Sequence, residues 1–321
     1  MTAEDPGGQL IVVTGPTGVG KTAAAIRLAE SLGGEIVNAD SRYLYRGFDI
    51  GVAKPSIGER GQIVHHLIDI LPPDGEMSLS IYQRLATDTI RDILGRGRVP
   101  LLVGGTVLYV NAVVEGWHIP QVPPDLAFRA EAEARAALDG GESLRAELAS
   151  IDPVVAERSG RNTRRVIRAL EIYRATGVPM SELESRGAPP FRSRIFALTM
   201  PREPLHRRLD ERVATLVERG LIDEVRGLLA SGVPESAAAM GSIGYRQLLP
   251  YLRGEASLDD CIRRIEVDTH RYVRHQETWL RRAEGIERLD VTEPGWEQRL
   301  EDLARSFLRR GAAGPAYLEA W

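Results

Sequence analysis

Apolar residues along this chain recur in two patterns. Residues 10–14 (LIVVT) form a short, continuous, β-branched run, as a strand buried on both faces requires. Residues 22–32, rich in Ala, Leu and Glu, read as helix. A second buried run spans 34–41 and ends in Asp40-Ser41, and a polar, glycine-containing connection follows to Lys54-Pro55. Residues 65–70 (HHLIDI) read as a short strand and 80–94 as helix. Residues 99–106 form a third buried strand running into a glycine turn, with a helix over 108–114. Alternation of strand and helix predicts a doubly wound parallel sheet. Ligands of such sheets sit beyond the carboxyl ends of the strands, where residues 15–22, Asp40 and Thr106 all fall.

The pattern changes at Trp117. Residues 118–124 (HIPQVPP) are a stiff linker, and the chain to about 186 is helical, rich in Ala, Arg and Glu, with no strand-like run. Residues 187–190 (GAPP) lead back, and 195–200 resume the sheet. An amphipathic helix over 205–219 buries Leu205, Leu209, Val213, Leu216 and Val217 and stops at Gly220. Helical stretches centred on Leu248 and Arg271, a last strand at 286–291 and a C-terminal helix complete the chain. The expected fold is therefore α/β: a doubly wound parallel sheet (1–116 and 191–321) carrying an inserted all-helical domain (117–190).

With 43% apolar and 27% charged residues the composition is that of a globular protein. A net charge of −4 excludes a molecule that binds polyanions with its whole surface, so any nucleic-acid contact has to be a local basic patch. Two patches qualify. Arg161, Arg164, Arg165, Arg168 and Arg174 stand against Glu171 alone, the first four assigned to one helix face. Residues 263–282 hold six Arg and two His against three acids, with Tyr272 and Trp279 interleaved. Such surfaces suit a large polyanion and an unstacked base, or are two ordinary charged helix faces. The single cysteine, Cys261, cannot form an internal disulfide. Residues 1–6 are acidic and lack a signal-peptide core, and the apolar stretch 101–114 is too short and interrupted to cross a bilayer. A cytoplasmic location without membrane attachment is expected.

Residues 15–22, Gly15-Pro16-Thr17-Gly18-Val19-Gly20-Lys21-Thr22, match G-x-x-x-x-G-K-[ST] between a strand and a helix. Glycines let successive N–H groups turn inward on phosphate oxygens, and the helix N-terminus adds positive potential. Lys21 brings a full charge, and the Thr22 hydroxyl suits Mg²⁺. This P-loop specifies a polyphosphate, as in nucleotide- and ATP-binding proteins, without saying which. Asp40, at a strand end, either serves metal or nucleophile chemistry or caps a turn. Thr106 either meets a polar substrate or caps the helix after it. Arg208 and Arg212, four apart, share a face with cations for departing phosphate oxygens, or belong with Arg207 to a solvated stripe paired with Asp210 and Glu211. His65 and His66, without a ligand cluster, read as structural. Tyr43 and Tyr45 fit either core or the flank of a nucleobase.

Together these segments resemble the tRNA isopentenyltransferase (tRNA dimethylallyltransferase) family. The resemblance runs in order through GPTGVGKT at 15–22, NADS at 38–41, YRGFDIGVAKP at 45–55, HHLIDI at 65–70 and LLVGGTVLY at 101–109. It continues through RRVIRALEIYRATG at 164–177, RLDERVATLVERGLIDEV at 208–225, GYRQ at 244–247 and RYVRHQETWLR at 271–281. It implies transfer of a dimethylallyl group from dimethylallyl diphosphate to N6 of adenine 37, 3′ to the anticodon, in tRNAs reading UNN codons. The P-loop, with Lys21 and Mg²⁺ at Thr22, would then hold diphosphate as a leaving group. Asp40 matches the general base on N6, Thr106 a residue beside the substrate channel and the tRNA, and Arg208 and Arg212 the cations near the diphosphate. The resemblance also implies tRNA contacts at Asp40, Ser41, Arg42, Tyr43 and Thr106. It implies a grip on the anticodon stem-loop by Arg129, Arg164, Arg165 and Arg168, and a further contact at 241–246, including Gly244, Tyr245 and Arg246. A monomer is expected.

Five positions depart from the family's frequent residues: Arg42-Tyr43 stands for Met-Gln, Val52 for Thr, Val107 for Gly and His275 for Arg. Rival readings are a P-loop nucleoside kinase, an isopentenyltransferase acting on free adenine nucleotides, and a non-catalytic RNA-binding protein. The first leaves both basic surfaces unexplained, and the second has no need of Arg164, Arg165 and Arg168.

Overall fold

The computed structural model describes residues 7–310; residues 1–6, which carried the reading of the N-terminus, lie outside the described residues. Eight strands are present among the described residues: β1 (Gln9–Thr14), β2 (Gly34–Asn38), β3 (His65–His66), β4 (Val99–Val103), β5 (Trp117–His118), β6 (Ser185–Arg186), β7 (Arg192–Thr199) and β8 (Ile286–Asp290). Six form one sheet in the order β3-β2-β4-β1-β7-β8, and every neighbouring pair is parallel. β1 is central, with Ile11 opposite Leu101 on one side and Arg194 on the other.

The continuous apolar run of β1 is explained by helices on both faces. Leu10 and Val12 pack into one core with Tyr82, Ala86, Ile90 and Ile93 of the helix Leu79–Gly95. Ile11 and Val13, pointing the other way, pack with Ala24, Ala25 and Leu28 of the helix Lys21–Leu32 and with Leu300 and Phe307 of the helix Trp296–Arg309.

Outside residues 117–190, two elements differ from the sequence reading. Of residues 65–70 only His65–His66 is strand, because Leu67 and Asp69 adopt positive φ (59° and 58°), which no strand accommodates. Gly220 ends one helix and also opens another: at φ 98° it caps the unanticipated helix Leu221–Ala230. His65 Nδ1 bonds the Ile63 carbonyl and His66 Nε2 bonds buried Glu35, so both histidines serve the structure. Cys261 is buried. Among the described residues no helix is long and apolar enough to cross a membrane, and no group of three His, Cys, Asp or Glu could hold a metal.

The described chain divides into two compact units, Glu115–Ala188 and the remainder. The smaller unit packs the helices Leu126–Asp139, Glu142–Ile151, Pro153–Ser159 and Thr163–Thr176 around Phe128, Leu144, Leu148, Val166 and Leu170. It is not wholly helical, since β5 and β6 pair antiparallel where its chain enters and leaves. Three of these four helix starts are capped by the side chains of Asp125, Asp152 and Asn162. Arg161 precedes the last of these helices and so is not on its face.

Candidate functional site

The loop between β1 and the helix Lys21–Leu32 turns on glycine. Gly20 sits at φ 104°, a left-handed conformation that side chains resist. Among the described residues the amides of Gly18, Gly20, Lys21 and Thr22 have no hydrogen-bond partner. Four free donors at a helix N-terminus form a cradle for an anion. Lys21 Nζ donates to the Pro16 carbonyl at 2.9 Å. Burial, opposed by Asp40 and reinforced by Arg212, lowers its pKa to about 8.

Two further cations come from the helix Arg202–Glu218. A methyl group built on Gly18 would strike Leu209, so this helix lies against the loop through its apolar stripe. That packing puts Arg208 over the cradle: a methyl group on Gly20 would lie 4.0 Å from its guanidinium nitrogen. Arg208 has no ion-pair partner among the described residues. Arg212, one turn on, reaches the Val52 carbonyl at 3.4 Å and lies within electrostatic range of Lys21. Arg207 is turned away and pairs with Glu203.

Asp40 follows β2. Asn38 fixes its backbone, accepting from Asp40 N at 2.8 Å and donating to its carbonyl at 2.9 Å. Asp40 Oδ1 accepts from Arg42 N at 2.9 Å; Oδ2 has no partner among the described residues. One carboxylate oxygen of Asp40 thus closes a turn, and the other is left without a partner among the described residues. The turn after β4 approaches closely, for a Cβ at Gly104 would fall 2.1 Å from the Ala39 carbonyl carbon. Thr106 does not cap its helix with its hydroxyl. That oxygen accepts from Ser41 N at 3.0 Å and donates to Ser41 Oγ at 3.3 Å.

Four tyrosines surround this end of the sheet. Tyr82 and Tyr109 stack with centroids 3.6 Å apart, and the Tyr82 hydroxyl donates to the Asn38 carbonyl. Tyr43 lies beside the site rather than in the core, and its hydroxyl donates to Ala53 O at 3.0 Å. Burial, then Asp40, push its pKa up to about 12, so it is a donor at any working pH. Tyr272 is 40% exposed, yet desolvation of its hydroxyl end and then the Asp40 charge raise its pKa, against the opposing charge of Arg42. An accessible ring face beside Asp40 suits a stacked base. Tyr45 is core.

Several expected contacts are committed elsewhere. Tyr245 is fully buried and its hydroxyl donates to Glu224 Oε1 at 2.5 Å, so it supports the fold rather than facing a ligand. Gly244 is buried, and Arg246 is exposed beside Asp268 at 3.4 Å. Arg42 donates to the Ala238 carbonyl. In the smaller unit Arg129 and Arg168 both bond buried Glu171, whereas Arg164 and Arg165 are exposed with no ion pair among the described residues.

Three contributors were not singled out from sequence. Glu224 accepts the backbone N–H groups of Asp49, Ile50 and Gly51. Buried Lys54 bonds Asp49, Asp69 and the Tyr45 carbonyl. Together they hold the loop carrying Val52 and Ala53. Gln276 spans the loop 15–22 and the turn after β4. All three stand within the strings that carry the family resemblance, which was the available signal.

The family model described as IPP transferase matches residues 43–283. A tRNA dimethylallyltransferase of Thermomicrobium roseum is 53% identical over 301 residues, covering 94% of this chain and 92% of that protein. One from Chloroflexus aurantiacus is 50% identical over 291 residues, covering 90% and 98%. Among solved structures, the full-length tRNA isopentenylpyrophosphate transferase of Bacillus halodurans superposes with TM-score 0.71 at 37% identity, covering 94% of this chain and 97% of its own. A eukaryotic dimethylallyltransferase acting on tRNA superposes with TM-score 0.78 at 27% identity, covering 97% and 81%. On this similarity, extending over nearly its whole length, the chain belongs to the IPP transferase family.

Proposed function

We propose that this protein is a tRNA dimethylallyltransferase that moves the dimethylallyl group of dimethylallyl diphosphate to N6 of adenine 37 in tRNAs reading UNN codons. The observation that carries this reading is the meeting of two chemistries in one place. An anion cradle of four free amides, Lys21, Arg208 and Arg212 adjoins a carboxylate, Asp40, with one oxygen free. The cradle takes the diphosphate. As the allylic C–O bond breaks, its electron pair leaves on diphosphate oxygen, and these cations stabilise the growing charge. The exocyclic amine attacks the allylic carbon, and Asp40 Oδ2 accepts the amine proton.

Thr22 fits Mg²⁺. The donor set is one hydroxyl, and Mg²⁺ takes few protein ligands, filling its shell with water and phosphate. Bound there, the ion would add positive charge against the diphosphate. Arg164 and Arg165 of the smaller unit offer unpaired cations to the anticodon stem-loop, and Tyr272 offers a ring face to an unstacked base. A soluble cytoplasmic monomer fits this work.

Mass spectrometry of unmodified tRNA incubated with protein, Mg²⁺ and dimethylallyl diphosphate tests the reading. A dimethylallyl mass increment on the nucleoside 3′ to the anticodon is expected. Phosphoryl transfer from ATP to a nucleoside, without that increment, would establish the kinase reading instead.

A further inference from the structure

The cradle and Asp40 lie on different segments, and one buried side chain joins them. Gln276, 4% exposed on the helix Leu258–Arg282, accepts from Thr17 N through Oε1 at 2.9 Å and donates through Nε2 to Gly105 O at 3.0 Å. The fit is close on both sides. A Cβ at Gly105 would lie 2.6 Å from Gln276 Nε2 and 3.5 Å from Lys21 Nζ. From Gly105 the connection continues through Thr106, whose hydroxyl takes Ser41 N, to Asp40. Gln276 is itself fixed by its neighbours: Val273 packs against Leu205 and Leu209, and Leu280 against Ala197 and Ile286.

We propose that Gln276 is a positioning residue that sets the spacing between the diphosphate cradle and the acceptor amine at Asp40, so that the allylic carbon is captured by nitrogen rather than by water. This rests on the prenyl-transfer reading of the site. A terminal amide is the group the geometry requires, because one planar side chain must accept on one side and donate on the other. Glutamate can accept from Thr17 N but presents a second acceptor to Gly105 O. Methionine matches the length and makes neither bond.

When the cradle opens the C–O bond with the amine out of reach, the allylic carbon meets solvent. Water oxygen forms the new C–O bond and loses a proton, giving dimethylallyl alcohol and free diphosphate. The diagnostic quantity is therefore diphosphate released per tRNA prenylated, measured on the full chain with Mg²⁺, tRNA and dimethylallyl diphosphate. The wild-type ratio is expected to be one, and a wild type that does not prenylate tRNA defeats the functional reading itself, before any variant is considered. For Gln276→Met, kcat for transfer is expected to fall ~10²-fold, the scale of a misplacement of about 1 Å. KM for both substrates stays near wild type, and the ratio rises above one.

A purely structural role lowers the active fraction and leaves the ratio at one. A ratio of one in Gln276→Met, or wild-type kcat, overturns the proposal. Should that variant fail to fold, judged by circular dichroism and thermal melting, Gln276→Glu decides by the same ratio. One bond keeps it partly aligned, so a smaller loss of kcat with a ratio above one is expected, and a ratio of one again refutes.

Discussion

Lys21 is the group whose charge matters most to the cradle, and in the free protein that charge is weakened. Burial lowers its pKa to about 8, against an ordinary value of 10.5. A bound diphosphate restores the protonated form, since its adjacent negative charge outweighs desolvation and raises the pKa to at least the ordinary range. Binding therefore takes up a proton wherever free Lys21 is neutral. With a free pKa near 8 and a bound lysine charged throughout, affinity should fall about tenfold between pH 7 and pH 9, or about 1.4 kcal/mol. The second ionisation of a phosphate ester lies near 6, so the charge of the ligand is constant over that range. Calorimetric titration with a non-reactive thiolo-analogue of dimethylallyl diphosphate, in buffers of different ionisation enthalpy, measures affinity and protons together. Uptake should rise from about 0.1 proton per ligand at pH 7 to about 0.9 at pH 9 by the same linkage. Lys21→Arg, charged at both pH values, should bind with no such dependence. PH-independent binding without proton uptake in the wild type would refute the reasoning. Stability changes in the opposite direction. The unfolded state binds more protons between pH 8 and 10.5, so the Lys21 contribution to stability rises with pH across that window.

Three other outcomes follow from the geometry. Asp40→Asn should keep tRNA affinity, read by filter binding, and lose at least ~10²-fold in kcat, because the amide cannot take the amine proton. Arg165→Ala should lower the slope of log affinity for tRNA against log salt by about one contact; an unchanged slope would remove this residue from the interface. Glu35, buried and bonded to Arg96 and His66, has its pKa lowered to about 2, Arg96 being the larger cause. Its stabilisation is present above the ordinary carboxylate range and is lost as pH falls toward 2. In urea melts Glu35→Gln should therefore cost about 2 kcal/mol at neutral pH and progressively less on acidification.

What could be read from sequence was what lies close together in sequence. The anion cradle needs glycines at positive φ, a lysine and a helix start, and all fall within eight consecutive residues. Asp40 was legible because a strand end in a parallel sheet is a defined place, and the buried β1 run announced the sheet itself. Arg208 and Arg212 share a face because they are four apart on one helix. The side chains that hold these pieces in register were not legible on such grounds. Gln276 meets Thr17 across 259 positions and Glu224 meets Ile50 across 174, and each depends on which helix packs over which loop. A glutamine or glutamate on a helix is ordinarily a solvated residue, so its type carries no signal until the packing is known. The positive φ of Leu67 and Asp69 was hidden for the related reason that neither is glycine: buried Lys54 bonds the Asp69 carboxylate, and that tertiary contact helps hold the turn. Arg129 and Arg168 show the converse. Their charge was plain and their place on helices was right, but one buried carboxylate, Glu171, consumes both, while Arg164 and Arg165, on the helix of Arg168, have no ion pair among the described residues. A basic segment thus states a capacity for binding anions, and which of its residues exercise it is decided by the few acids folded in beside them.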